Sequence, residues 1–201
     1  SLLDMKMSVL QTLLLISTLS YLRVEGVCKT TQLNDMEQLV LDKHNEYRAR
    51  HHGTPPLCYA RVAGQDITFA AQEWAEHVGN TGEFKHTPNP KEFGENMSWS
   101  SYNGEDPEPA PFYNGGIDRW YNEIENWDFV NSRSNGVTSH FTQLVWKDAT
   151  QLNCGFATSE ALHRAYVVCQ YWPKGNWMSQ YPDQVQPLKV STDSSKLWLL
   201  S

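Results

Sequence analysis

From Thr31 to His52 the side chains Leu33, Met36, Val40, His44 and Tyr47 recur at steps of three and four, with Asp35, Glu37, Asp42 and Glu46 between them. That spacing predicts an amphipathic helix, ended by Gly53 and the pair Pro55 and Pro56. A second helical pattern, ITFAAQEWAEHV from Ile67 to Val78, sets Phe69, Ala70, Trp74 and Val78 on one side and places a stop at Gly79. Residues 100–116, SSYNGEDPEPAPFYNGG, mix glycine and asparagine turn formers with three prolines and predict a surface loop. IDRWYNEIENWDF then returns to helical spacing through Ile117, Trp120, Tyr121 and Ile124, so Glu123 is expected on a helix. FTQLVW and AYVVCQYW are rich in β-branched and aromatic residues and predict strands. Helices, a loop, another helix and then strands do not alternate as βαβ, which makes the class α+β, with helices covering an antiparallel sheet.

The first 26 residues follow a different grammar. A lysine near the start, an apolar stretch from Val9 to Leu22 broken by hydroxyls, and a Val24-x-Gly26 ending predict a secretory signal cleaved near Gly26. Gln11, Thr12, Ser17, Thr18 and Ser20 dilute the stretch below what a spanning helix of roughly 20 apolar residues needs. The expected organisation is a signal segment at 1–26, one domain at 27–185 and a polar tail at 186–201. A net charge of -7 argues against nucleic acid or an anionic membrane as partner, and no membrane span is expected. Cys28, Cys58, Cys154 and Cys169 are an even set in a chain expected in an oxidising compartment. Disulfides are therefore expected, and spacing leaves all three connectivities open.

His86, Glu95, Glu123 and His140 stand out as candidate chemistry. Among seven histidines and 23 acidic residues such a quartet is only a shortlist until something brings its members together. A resemblance does so. HFTQLVW followed by NCGF and YVVCQYWPKGN resembles the two signature motifs of the CAP superfamily, also written SCP/TAPS. This is the secreted group of cysteine-rich secretory proteins, antigen-five allergens, pathogenesis-related proteins and venom allergen-like proteins. HNEYRARH, FAAQEWAEH and GENMSWS resemble its helix motifs and its Gly-Glu-Asn box, in order, from about His44 to Asn176. With no cysteine after Cys169, the chain is similar to the single-domain venom allergen-like kind.

The resemblance implies a three-layer α-β-α sandwich with a central antiparallel sheet. It implies a central cavity lined by His86, Glu95, Glu123 and His140, with His86 and His140 as ligands for a divalent metal such as zinc, and no other cofactor. The carboxylates would either ligate or fix the histidine tautomers. Ser139 stands where the family usually has glycine, which puts the aim of His140 at issue. The resemblance further implies a Cys154–Cys169 disulfide joining the ends of the last two strands, leaving Cys28 to pair with Cys58. The asparagine of the only sequon, Asn96-Met97-Ser98, is expected to pack inside.

By the same resemblance the function is carriage of sterols or fatty acids by a secreted, extracellular protein. The groove would lie between helices carrying Val40 and Tyr47 on one side and Ile117, Trp120 and Tyr121 on the other. The alternative is an immunomodulatory scaffold addressing an extracellular protein receptor through the 100–116 loop, with Tyr102, Phe112 and Tyr113 as its surface. A metal-dependent hydrolase with Glu95 or Glu123 as base ranks lower. The chain has no H-E-x-x-H, no nucleophile elbow and no evident oxyanion donors, so no catalytic residue is assigned and an enzyme is not expected.

Overall fold

Asn34 begins the first helix by accepting the amides of Met36 and Glu37 at 3.0 and 2.9 Å, while Glu37 reaches back to the Asn34 amide at 2.9 Å. This reciprocal box satisfies helix donors that would otherwise lack partners. In the computed structural model, which describes residues 32–63, 67–88, 92–104 and 107–190, that helix, α1, spans Asp35–Arg48. The expected signal segment and Cys28 lie outside the described residues.

Three short strands follow, β1 (Cys58–Tyr59), β2 (Val62–Ala63) and β3 (Ile67–Thr68), and then the helix α2 (Ala71–Thr81). Helix α2 begins later than its apolar pattern predicts because Ile67 and Thr68 pair with β2. It also runs past the expected stop. Gly79 lies within the helix against the sheet, where a Cβ would come 2.8 Å from the Thr158 carbonyl, and the left-handed cap is Gly82 at φ 71°.

The rest of the chain supplies β4 (Gly94–Ser101), α3 (Pro109–Asn122), a 3₁₀ turn (Glu123–Asn126), β5 (Trp127–Asp128) and β6 (Arg133–Ser134). It continues through α4 (Ser139–Leu144), β7 (Gln151–Ser159), β8 (Arg164–Trp172), a second 3₁₀ turn (Met178–Gln180) and α5 (Tyr181–Gln184). Two expectations fail here. Residues 109–116 are helix rather than loop, since Pro109 and Pro111 fall in the first turn, where a missing N–H is harmless. FTQLVW is not a strand: its first four residues end α4 and the rest turns away from it. Glu123 heads the 3₁₀ turn that closes α3.

The principal sheet has the order β1-β7-β8-β4. β8 pairs antiparallel with β7 and β4, while β1 is parallel to β7, so the sheet is mixed rather than wholly antiparallel. Tyr166 and Val168 of β8 pack with Ala71, Ala75 and Val78 of α2 on one face. Val167, Cys169 and Tyr171 point to the other, where α1, α3 and α4 build the larger core around Ile117, Trp120, Phe141 and Leu144. The period-two alternation of one strand thus divides two hydrophobic layers, giving an α+β sandwich.

Cys154 and Cys169 are bonded and stand opposite each other in the β7–β8 register. The bridge lies within the ladder, not at the strand ends as expected, and so pins register as well as closing a loop. Cys58 is disulfide-bonded too. Beyond Gln186 the chain still packs on the body, with Pro187 accepting from the His52 amide at 3.0 Å and the Lys189 amide donating to the Arg50 carbonyl at 2.8 Å.

Arg48 is fully buried and donates to the carbonyls of Pro55, Leu144, Trp146 and Ala149 at 2.8–2.9 Å. Burial presses its pKa down to about 9, which leaves it a cation at neutral pH facing carbonyl dipoles. It thereby ties the C-terminal end of α4 to α1.

Candidate functional site

Glu95, on β4, is paired in register with Gln170 of β8, and its side chain is 2% exposed. Its Oε1 accepts from His86 Nδ1 at 2.8 Å and from the Thr87 amide at 3.0 Å. Its Oε2 accepts from the Thr87 hydroxyl at 2.5 Å and from Gln170 Nε2 at 3.0 Å. Gln170 is aimed by the Ala70 amide, which donates to its Oε1 at 3.0 Å. Burial alone would raise the Glu95 carboxyl, but the donors on His86, Gln170 and Thr87 outweigh it and hold the pKa below the ordinary value. The same contact raises His86 above its ordinary value, with burial opposing.

Glu123 serves a second histidine. Its Oε2 accepts the amides of His140 and Phe141, at 3.0 and 3.2 Å, and so caps the first turn of α4 from outside the helix. Its Oε1 lies 2.6 Å from His140 Nδ1. The His140 ring lies nearly parallel to Trp120, with centroids 6.2 Å apart and planes 16° from parallel, and Trp120 is itself fixed by a 3.2 Å bond from Nε1 to the Met97 carbonyl. Ser139 starts α4 and its carbonyl accepts from Asn176 Nδ2 at 2.9 Å, so a non-glycine residue is accommodated there.

Each carboxylate thus engages Nδ1 of its histidine, which places the proton on Nδ1 and leaves the Nε2 lone pair for a ligand. The glutamate oxygens are already occupied, four donors on Glu95 and three on Glu123, and they act as orienting groups. Among the described residues no group of three or more His, Cys, Asp or Glu is arranged to hold a metal ion. The hydrogen bonds of the two pairs leave Nε2 of His86 and of His140 uncommitted.

Asn96 joins the two pairs. It follows Glu95 on β4, is 1% exposed, and donates from Nδ2 to the His140 carbonyl at 3.0 Å and to the Tyr171 hydroxyl at 3.1 Å. Tyr171 donates to His44 Nε2 at 2.9 Å, and His44 donates from Nδ1 to the Val40 carbonyl at 2.7 Å. Burial lowers the His44 pKa to about 4, so it is neutral in this chain of bonds. Thr87 and Gln170 are supporting residues that the sequence does not single out, while Asn96, the asparagine of the Gly-Glu-Asn box, packs inside as expected. The one local signal is the run Glu95-Asn96, whose neighbours must face opposite sides of a strand.

The residues expected to line a lipid groove lie in the core. Val40, Tyr47, Ile117, Trp120 and Tyr121 are all buried core side chains, with Tyr47 stacked on Tyr121 at 3.8 Å and the Tyr121 hydroxyl donating to His51 Nε2 at 3.1 Å. Amphipathic faces on two packed helices fill the space between them. An open cleft of about 870 Å³ lies instead at the N-terminal ends of α1 and α3, lined by Met36, Val40, Tyr59, Phe69, Tyr113 and Phe156. Of the five expected residues only Val40 reaches it. Glu37 and Arg61, 2.6 Å apart, also line it, with Asn34, Asp35 and Gln72.

Residues 41–171 match the model of the cysteine-rich secretory protein family, CAP. The chain is 34% identical over 154 residues to Golgi-associated plant pathogenesis-related protein 1 of Homo sapiens, covering 75% of this chain and 92% of that protein. It is 33% identical over 147 residues to secreted protein RBT4 of Candida albicans, covering 72% of this chain but only 37% of that longer protein. Among solved structures, NaASP2 with Zn2+ superposes with a TM-score of 0.57 at 22% identity, over 81% of this chain and 90% of that one, and shares the fold. The family match covers well over half of the chain and the fold agrees with it: the chain belongs to the cysteine-rich secretory protein (CAP) family.

Proposed function

We propose that the protein is a secreted, non-enzymatic lipid carrier that takes a sterol or a fatty acid into the cleft between the N-terminal ends of α1 and α3. The observation that carries this reading is the cleft itself. It is about 870 Å³, ample for a ligand of that size, and its lining sets the apolar side chains of Met36, Val40, Tyr59, Phe69, Tyr113 and Phe156 beside polar groups such as Asp35, Glu37, Arg61 and Gln72. Secretion is supported by the disulfide-bonded cysteines and by relatives named as secreted. Among the described residues no helix is long and apolar enough to cross a membrane.

The two-histidine site is read as a separate place for a divalent ion such as zinc. Nε2 of His86 and His140 would hold it, and the ion would supply a Lewis-acid centre with positions left for water. Support comes from the donor chemistry, two imidazoles each oriented at Nδ1 by a carboxylate, and from a structural relative described with Zn2+.

The test is equilibrium binding of a radiolabelled sterol and of a fluorescent fatty acid to the delipidated full chain. Saturable binding of at least one is expected, and Phe156→Asp should weaken it about tenfold by placing a charge on the apolar wall. The melting temperature should fall as well, since Phe156 packs partly buried against the core, so a circular-dichroism spectrum matching wild type is the check that the variant used in the binding assay is folded. No saturable binding of either lipid class would end the reading.

A further inference from the structure

We propose that Gln143, wedged between Gly94 and Gly175, is the positioning residue that sets the His86–Glu95 pair against the Glu123–His140 pair. Gln143 lies one helical turn beyond His140 on α4 and is 2% exposed. Its Oε1 accepts from the Gly175 amide at 3.1 Å. Its Nε2 has no hydrogen-bond partner, so hydrogen bonding alone does not account for an amide here. Shape does. A Cβ on Gly94 would come 1.9 Å from Gln143 Oε1 and 2.4 Å from its Cδ, and one on Gly175 would come 2.7 Å from Trp146 and 3.0 Å from Gln143 Nε2. The Gln143 amide is therefore packed directly onto two bare backbones.

Gly94 immediately precedes Glu95, and Asn96, immediately after it, donates to the His140 carbonyl at 3.0 Å. Both neighbours of Glu95 are thus held by α4, one by close packing and one by a hydrogen bond. Because Glu95 carries His86 and α4 carries His140, the seam between Gly94 and Gln143 fixes how the two imidazoles stand to each other. Gln143 touches neither histidine–glutamate pair and acts through the strand. This inference rests on the two-histidine reading for its metal consequence only.

The experiment uses the full chain with Zn2+ alone as probe, in Gly94→Ala, Gln143→Ala and the double variant. Calorimetry reads affinity, and long-range proton–nitrogen spectra read the imidazole tautomers. Gly94→Ala should weaken Zn2+ binding by about tenfold or more, as displacement of orienting groups does. It should also turn His86 from the Nδ1–H form to a mixture, while His44, held by the Val40 carbonyl, keeps its signal as a marker of an intact fold. The double variant, which returns space for the added methyl group, should recover both readouts above Gly94→Ala alone. Should Gly94→Ala not fold, Gln143→Ala, which only removes atoms, carries the test and should loosen both readouts in the same direction. If the wild-type chain binds no Zn2+, the metal reading fails and the tautomer signals still decide the positioning role. An unchanged His86 signal in both single variants, or a double variant no better than Gly94→Ala, overturns it.

Discussion

Glu95 sits on an edge strand with 2% of its side chain exposed and three of its four bonds made to side chains, whereas Glu123 heads a 3₁₀ turn, is 16% exposed and spends two of its three bonds on backbone amides of α4. Their histidines differ in the opposite sense. His86 is 58% exposed on a connecting segment, and His140 is 27% exposed, begins the first turn of a helix and is covered by Trp120. In the first pair the acceptor is rigid and the imidazole stands at the rim. In the second, the imidazole is rigid because its own backbone is part of the cap. A ligand that needs both nitrogens would therefore find His140 preset and His86 adjustable.

The comparison can be broken most forcefully at Glu95. Glu95→Ala strands the buried Gln170 amide and the Thr87 donors, and should lower unfolding free energy by about 4 kcal/mol in urea titrations. Acid should attack what the two pairs share. His44 is held neutral with a pKa of about 4, below the unfolded value of 6.5, so its contribution is complete above pH 6.5 and is lost as pH falls toward 4, about 3 kcal/mol in all. His86 has the opposite sign: its raised pKa contributes stability below pH 6.5 that disappears as pH rises through its folded value. Urea midpoints measured from pH 8 to 4 should fall steeply on the acid side, and His44→Gln should flatten that limb.

Glu123→Ala, which removes a cap and leaves two amides of α4 to water, is expected to cost about 2 kcal/mol by the same titration. His86→Ala should cost less than about 1 kcal/mol, because the exposed imidazole buries little. It should nonetheless abolish Zn2+ binding in calorimetry if both imidazoles are required. The smallest expected effect is none: enzymatic deglycosylation of the chain expressed through a eukaryotic secretory host should leave its mass unchanged, because the Asn96 amide is buried and both of its N–H groups are used.

The four candidate side chains were legible because their motifs are short and contiguous: GEN around Glu95, HFTQ around His140. Their pairing was not, because the carboxylates lie nine and seventeen residues from their histidines and meet them by strand register and by capping. FTQLVW shows the same limit. β-Branched and aromatic content favours a strand, yet the segment is drawn into α4 and its exit by Glu123 at one end and the Arg48 guanidinium at the other. The stretch 109–116 misled for a different reason. Its prolines and glycines signal a loop individually, but the prolines occupy the first helical turn and Gly116 lets α3 approach Ser98, where a Cβ would come 2.5 Å from Oγ. The residues expected to line a groove turned out to be core because a pattern reports which face is apolar, and says nothing of whether a partner helix already covers it.

By itself, then, the chain specified its strongest helix, its last strand and its family motifs, since each is written within about one element's length of local spacing. The tertiary structure alone decided which carboxylate serves which imidazole, which glycines must stay bare, and where an apolar opening survives. Those depend on backbones meeting across strands and helices far apart in sequence, and their separations are fixed by packing rather than by any residue's own preference.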